Sequence, residues 1–301
     1  MTSINSKSYN VVDEVNDSYI GFSNVAETVS SFENEVKEYV IKNKPLVVIL
    51  TPCYGGLCHV NYTICLIETI KIFNYFSIPL QVEFCKNDSL VSRARNNLVA
   101  KAMNRREMTH IMFIDNDISW NPNDVIKLML DDKNLIGGVY PLKKYEWLKC
   151  LEIDKELLDV KNTSYLKDVV SDIDTIRSKM LKYNVNFLTN TLQVDKNVGK
   201  VRHIATGFMM IKRGVIENMS LAYPATKYSD DVGFLREDEN NFAFALFDCG
   251  VEDGHYLSED WMFCHRWNKM NEDVYIDVSI NLVHTGMEDY SGSFLTSLLP
   301  K

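Results

Sequence analysis

Thr109-His110-Ile111-Met112-Phe113-Ile114-Asp115-Asn116-Asp117 decides how this chain is read. Four apolar residues end in two carboxylates, the pattern of a buried strand whose end opens into a crevice. Asp at i and i+2 can both approach one cation where the chain turns, and hard divalent cations take oxygen ligands and bridge to phosphates. The competing reading is a loop turn or helix cap, because Asp commonly satisfies local backbone donors.

Outward from this stretch, strands alternate with helices. Leu46-Val47-Val48-Ile49-Leu50 reads as a buried strand, Thr51 to Gly56 as a loop and Asn61 to Phe76 as a helix. Pro79 to Cys85 gives a second strand, and Ser89 to Met103 a helix that Ser89 or Ser92 can cap. Asn121-Pro122-Asn123-Asp124 starts another helix, with Pro in its first turn. Leu135 to Tyr140 is the next strand. The β-α-β-α-β-α-β order predicts a mostly parallel sheet covered by helices, with ligands at the carboxyl ends of its strands.

Four regions follow: 1–44 as an N-terminal extension or cap, 45–143 as a half that carries the ligand crevice, 144–200 as a helical insertion or acceptor-side region, and 201–301 as a second half. Within 1–44, residues 27–42 read as a helix. Residues 145–185 are charged and mostly helical in pattern. His203 to Lys212 reads as one strand with Gly207 inside it. Phe242 to Cys249 and Val274 to Val283 read as further strands, and Ser258 to Asn268 as a short helix.

The 301 residues are 46 % apolar and 24 % charged, as in a soluble globular protein. The net charge of −9 argues against general nucleic-acid binding. No stretch approaches the roughly 20 apolar residues of a membrane span. Seven irregularly spaced cysteines suit reduced thiols, and the expected setting is cytoplasmic (host cytoplasm for a viral protein). A homo-oligomer stays open.

Several other residues carry chemistry. His284 follows a strand expected over Val278 to Val283 and can complete a mixed oxygen and nitrogen metal site with Asp115 and Asp117, or stand as an ordinary hydrogen-bonded histidine. Glu259 and Asp260 open a helix before Trp261, as a base for an acceptor hydroxyl or as plain helix-end charge. Arg93 and Arg95 suit either a diphosphate or an ion pair that locks the acidic loop. Asp88 can accept from a base or ribose, with Thr51, Pro52 and Tyr54 lining the same pocket. Lys143 suits a phosphate or acceptor, or plain exposure. Thr206 and Gly207 suit the acceptor, or, for Gly207, tight packing. Thr51-Pro52-Cys53-Tyr54-Gly55-Gly56 lacks the Gly-x-Gly-x-x-Gly fingerprint of dinucleotide-binding oxidoreductases. The adjacent Cys264 and His265 do not establish a protease pair.

Together these pieces resemble the nucleotide-sugar-dependent glycosyltransferases of the GT-A fold, over residues 45–143 and 201–290. Val47 to Thr51 resembles the first nucleotide-binding strand and loop, and Asp115-Asn116-Asp117 the DxD motif. Ser92-Arg93-Ala94-Arg95-Asn96 is similar to a segment of viral, bacterial and fungal mannosyltransferase-like members. Thr206-Gly207-Phe208 resembles the acceptor-side glycine segment, Glu259-Asp260 the late acidic pair of inverting members, and His284 a late metal-binding histidine of some, several of them retaining. The resemblance implies an α/β, Rossmann-type mixed sheet flanked by helices. It implies Mn2+ or Mg2+ on Asp115, Asp117 and His284, with Asn116 beside the donor. It also implies a nucleoside-diphosphate hexose donor, UDP favoured over GDP, and a glycan or glycoprotein acceptor. Rival readings are a nucleotidyltransferase, a nucleotide-sugar hydrolase, or a noncatalytic glycan-binding relative.

Overall fold

The structure is a computed structural model, and it describes residues 22–146, 172–286 and 289–298. Residues 1–21 of the expected extension and 147–171 of the expected insertion lie outside the described residues.

Helix α1 (Phe22–Asn43) leads into β1 (Val47–Cys53), α2 (Val60–Tyr75), β2 (Leu80–Lys86), α3 (Val91–Met103) and β3 (His110–Ile114). Then come β4 (Ile118–Ser119), α4 (Pro122–Leu130), β5 (Leu135–Gly137), β6 (Pro141–Tyr145), α5 (Asp172–Met180), β7 (Leu181–Tyr183) and β8 (Val185–Asn186). Next are β9 (Val194–Asp195), β10 (Val198–Val201), β11 (His203–Ile204), β12 (Phe208–Lys212) and α6 (Arg213–Ala222). The chain continues through β13 (Gly250–Glu252), β14 (His255–Leu257), α7 (Glu259–Lys269) and β15 (Val274–Asp277), ending in β16 (Val283–Thr285), β17 (Asp289–Ser291) and α8 (Phe294–Ser297).

The main sheet runs β2-β1-β3-β12-β5-β15-β10-β9. Strands β2, β1 and β3 are parallel, as are β5 and β15. Strand β12 runs antiparallel between β3 and β5, and β10 antiparallel to β15. The sheet is therefore mixed rather than mostly parallel, and strands from beyond residue 200 are woven between those of the first half.

Side-chain alternation builds three layers. Val48, Leu50, Ile111, Phe113, Met209 and Ile211 face one core with α3, α6 and α7. Val47, Ile49, Met112, Ile114, Phe208 and Met210 face the other with α1, α2 and α4. Covering both faces is why β1, β3 and β12 read as unbroken apolar runs.

Three expected strands differ. His203 to Lys212 splits into β11, which pairs with β8, and β12, with a turn at Thr206-Gly207 between them. Phe242 to Cys249 forms only an isolated bridge, Phe244 with Lys227, because side chains take the backbone bonds that would extend it. Asn96 donates to the Phe247 carbonyl and accepts its N–H, and Arg266 donates to the carbonyls of Ala245 and Leu246. The hairpin comes later, β13 to β14, across Asp253-Gly254, both at positive φ. Val274 to Val283 breaks after β15, where Asp277 accepts from the N–H and hydroxyl of Ser279. The helix at 91–103 starts after Leu90 without a serine cap; Asp88 accepts the Leu90 N–H instead. The α4 start holds as a capping box between Asn121 and Asp124. Among the described residues no helix is long and apolar enough to cross a membrane.

Candidate functional site

The acidic triplet leaves β3 at the edge where β1, β2 and β5 also end. The Asp115 N–H bonds the Gly207 carbonyl at 3.0 Å, one step before the β3–β12 ladder begins. Directly after the triplet, β4 pairs with β16, placing His284 opposite Ile118. A strand pairing thus brings His284, far away in sequence, beside the triplet.

Asp117 and His284 meet. The His284 Nε2 lies 3.5 Å from Asp117 Oδ2, and its Nδ1 is 2.9 Å from the Pro141 carbonyl. A carbonyl only accepts, so Nδ1 carries the hydrogen. Nε2 is then the ring nitrogen that faces the carboxylate: with a proton it donates to Asp117, and without one it offers its lone pair to a cation bound there. Lys143 Nζ sits 2.5 Å from the same Asp117 oxygen. Burial opposes the Asp117 charge, but the hydrogen bonds from His284 and Lys143 prevail and lower its pKa to about 2.

Asp115 faces the other way. Both its oxygens are taken by Arg95, Nη1 to Oδ1 at 3.0 Å and Nη2 to Oδ2 at 3.2 Å, and Arg95 Nε reaches Glu259 at 3.2 Å. Arg95 is 4 % exposed, so one buried guanidinium links the triplet to the start of α7. Arg93, two residues away, points to Asp88 and forks onto it at 2.9 and 2.8 Å. That fork, with the Leu90 N–H, occupies the Asp88 carboxylate and lowers its pKa.

Asp260 is buried beside Glu259. It accepts from the Ser258 hydroxyl and, at 2.8 Å, from the Trp261 N–H. Burial, then the Glu259 charge, raise its pKa to about 6. Trp261 stacks on His203 at 5.6 Å between centroids, and burial holds His203 down at about 4.

Tyr140 is the residue that sequence reasoning passed over. It is buried, its ring meets His284 edge to face at 5.1 Å, and burial with the Asp115 and Asp260 charges raises its pKa far above 10. It therefore stays a neutral phenol. A Cβ on Gly207 would fall 2.6 Å from the Tyr140 hydroxyl, so glycine at 207 admits this ring. The only hint in the sequence is an aromatic residue just after Gly137-Gly138.

The remaining candidates divide. Thr51 is fully buried with its hydroxyl 2.6 Å from that of Tyr62, and Thr206 is fully buried without a side-chain partner. Their side chains face the interior. Pro52 is half-buried and Tyr54 exposed on the loop after β1. Asn116 ties that loop to the triplet: its Nδ2 donates to the Leu57 carbonyl at 2.6 Å, and its own carbonyl accepts from the His59 N–H at 3.1 Å.

Among the described residues no group of three or more His, Cys, Asp or Glu is gathered as a metal site. With Asp115 held by Arg95, the nearest donor set is Asp117 and His284. One hard oxygen and one imidazole nitrogen suit a divalent ion that draws its other ligands from phosphate and water.

No family model matches the chain. No curated protein matches it either. Among solved structures it is similar to one titled "Crystal Structure of A197 from STIV", at 13 % identity and a TM-score of 0.44, covering 80 % of this chain and 86 % of that one. A likeness this distant carries neither a family nor an activity over to this chain.

Proposed function

We propose that this protein is a divalent-metal-dependent glycosyltransferase that moves a hexose from a nucleoside-diphosphate sugar to an acceptor hydroxyl. The observation that carries the reading is the meeting of Asp117 and His284 at the strand ends, joined through Asp115 and Arg95 to half-buried Glu259 and its buried neighbour Asp260. One end suits a metal-bound diphosphate, the other a proton acceptor.

Asp117 and His284 Nε2 would hold Mn2+ or Mg2+. The bound ion supplies positive charge for the departing nucleoside diphosphate. Lys143, already at Asp117, is placed to turn its ammonium toward that diphosphate. Tyr54 offers an exposed ring to the nucleotide on the β1 loop. Asp260, with a pKa of about 6, is ionised at neutral pH yet basic enough to take a hydroxyl proton in an inverting transfer. Arg95 fixes Asp115 and Glu259, and Trp261 lies next to Asp260 to contact a glycan or glycoprotein acceptor.

A second reading, a glycan-binding relative without turnover, is favoured by one observation. Arg95 and Lys143 already neutralise both triplet carboxylates without a metal. Product analysis separates the readings: UDP- and GDP-hexoses are incubated with the protein, Mn2+ and an acceptor panel. A glycoside product supports transfer. Free hexose alone supports a hydrolase, and an unconsumed donor supports the binding protein.

A further inference from the structure

The loop between β1 and α2 holds two thiols that the transfer chemistry does not use. The sulfurs of Cys53 and Cys58 lie 3.5 Å apart; Cys53 is buried at the end of β1 and Cys58 is exposed. A disulfide needs its sulfurs about 2 Å apart. The intervening Tyr54, Gly55, Gly56 and Leu57 are all exposed, so this short loop can make the remaining approach.

What surrounds Cys58 gives that approach a consequence. Leu57 on one side accepts from the Asn116 side chain, and His59 on the other donates to the Asn116 carbonyl. Cys58 therefore sits between the two residues that tie this loop to the middle of the acidic triplet. Drawing its sulfur toward β1 pulls on both bonds.

We propose that Cys53 and Cys58 form a reversible disulfide that shifts the β1–α2 loop and, through Asn116, the acidic triplet. The oxidant is a low-molecular-weight disulfide. Cys58 loses its proton, attacks one sulfur of that disulfide and expels one small thiolate. Cys53 then loses its proton and attacks the Cys58 sulfur, which forms the internal bond and expels the second thiolate. The two protons end on the two small thiols, and the two electrons from the protein thiols reduce the small disulfide. The order follows from access: burial, with the Cys58 contact, pushes the Cys53 thiol up to about 12, so the surface thiol reacts first. The effect on donor binding rests on the transferase reading; bond formation and the loop shift do not.

The test incubates the full chain with oxidised glutathione, maps the disulfides by peptide mass spectrometry, and follows amide exchange. The expected result is a Cys53–Cys58 link that dithiothreitol reverses and that Cys58→Ser lacks. The oxidised protein should also show faster exchange of the His59 amide and several-fold weaker Mn2+-dependent UDP binding. Cys58 found only as a stable glutathione adduct, or linked to another cysteine, overturns the pair. A Cys53–Cys58 link with unchanged His59 exchange overturns the coupling to the triplet. Weak UDP binding by the reduced protein counts against the transferase reading alone, because the link and the His59 exchange are read without nucleotide.

Discussion

Arg95 holds two carboxylates from different halves of the chain, Asp115 and Glu259, and its burial makes both depend on it. A buried pair that loses one partner leaves an uncompensated charge, a strongly destabilising change. The region of the candidate site is therefore organised by a buried charge committed to two carboxylates. Asp260 shows the opposite economy. Its folded pKa of about 6 lies above the usual 3.8, so the folded state holds the proton more tightly than the unfolded chain does. Ionisation then costs stability: nothing below pH 4, increasingly between pH 4 and 6, and a constant amount above, about 3 kcal/mol. Asp260→Asn keeps a side-chain oxygen for Ser258 and Trp261 while removing the charge. This variant should unfold at a higher urea concentration than the parent at pH 8, with the gain gone at pH 4. Its transfer rate should fall by about a hundredfold or more while nucleotide affinity stays. A stability gain that is the same at both pH values would count against the buried-charge account. The triplet and the late acidic pair were legible as candidates because chemistry-bearing residues at strand and helix ends stand out. Tyr140 was not, because its role comes from where the ring lies and not from its neighbours in sequence.

At the scale of the element, α3 departs from an ordinary amphipathic helix. Arg95, Asn96 and Asn97 are all buried, with Arg95 on Asp115 and Glu259, Asn96 on the Phe247 backbone and Asn97 on Tyr228 and Asp230. These bonds satisfy polar groups that would otherwise be costly to bury, and they hold 226–249 against the helix without a strand. That explains why Phe242 to Cys249 could not be read correctly: its apolar pattern suits a strand, but side chains on α3 and α7 bond the backbone of Ala245 to Phe247. The turn before β12 has a similar lesson. Gly207→Ala puts a methyl group into Tyr140, and overpacking of this kind costs roughly 1–3 kcal/mol. The variant should melt earlier, and Tyr140→Leu in the same chain should recover part of the loss. No recovery would count against the Tyr140 ring as the group that requires glycine at 207.

At the scale of the whole molecule, the decisive feature is β12, inserted between β3 and β5 from beyond residue 200. The apolar runs of β1, β3 and β5 made an α/β sheet legible, and periodicity placed α2, α3 and α4 to within a few residues. Strand order was not legible, because apolar runs covered on both faces look alike whichever neighbour they pair with. A fragment of residues 45–143 leaves β3 and β5 with open, wholly apolar edges where β12 belongs. It should aggregate or lack a cooperative melt, whereas a folded, monomeric fragment would show that the sheet does not need the late strand. A separate pairing, β16 with β4, brings His284 to Asp117, so the candidate site too exists only once the late strands are in place.

The most direct test of the central claim is calorimetric titration of the reduced full-length protein with UDP and GDP, with and without Mn2+, alongside Asp117→Asn. The account predicts binding of one nucleotide that requires Mn2+ and is lost in Asp117→Asn, with a melt that stays cooperative though lowered by the loss of the Asp117 ion pairs. Binding that is indifferent to Mn2+ and to Asp117, or no binding of either nucleotide, would contradict it.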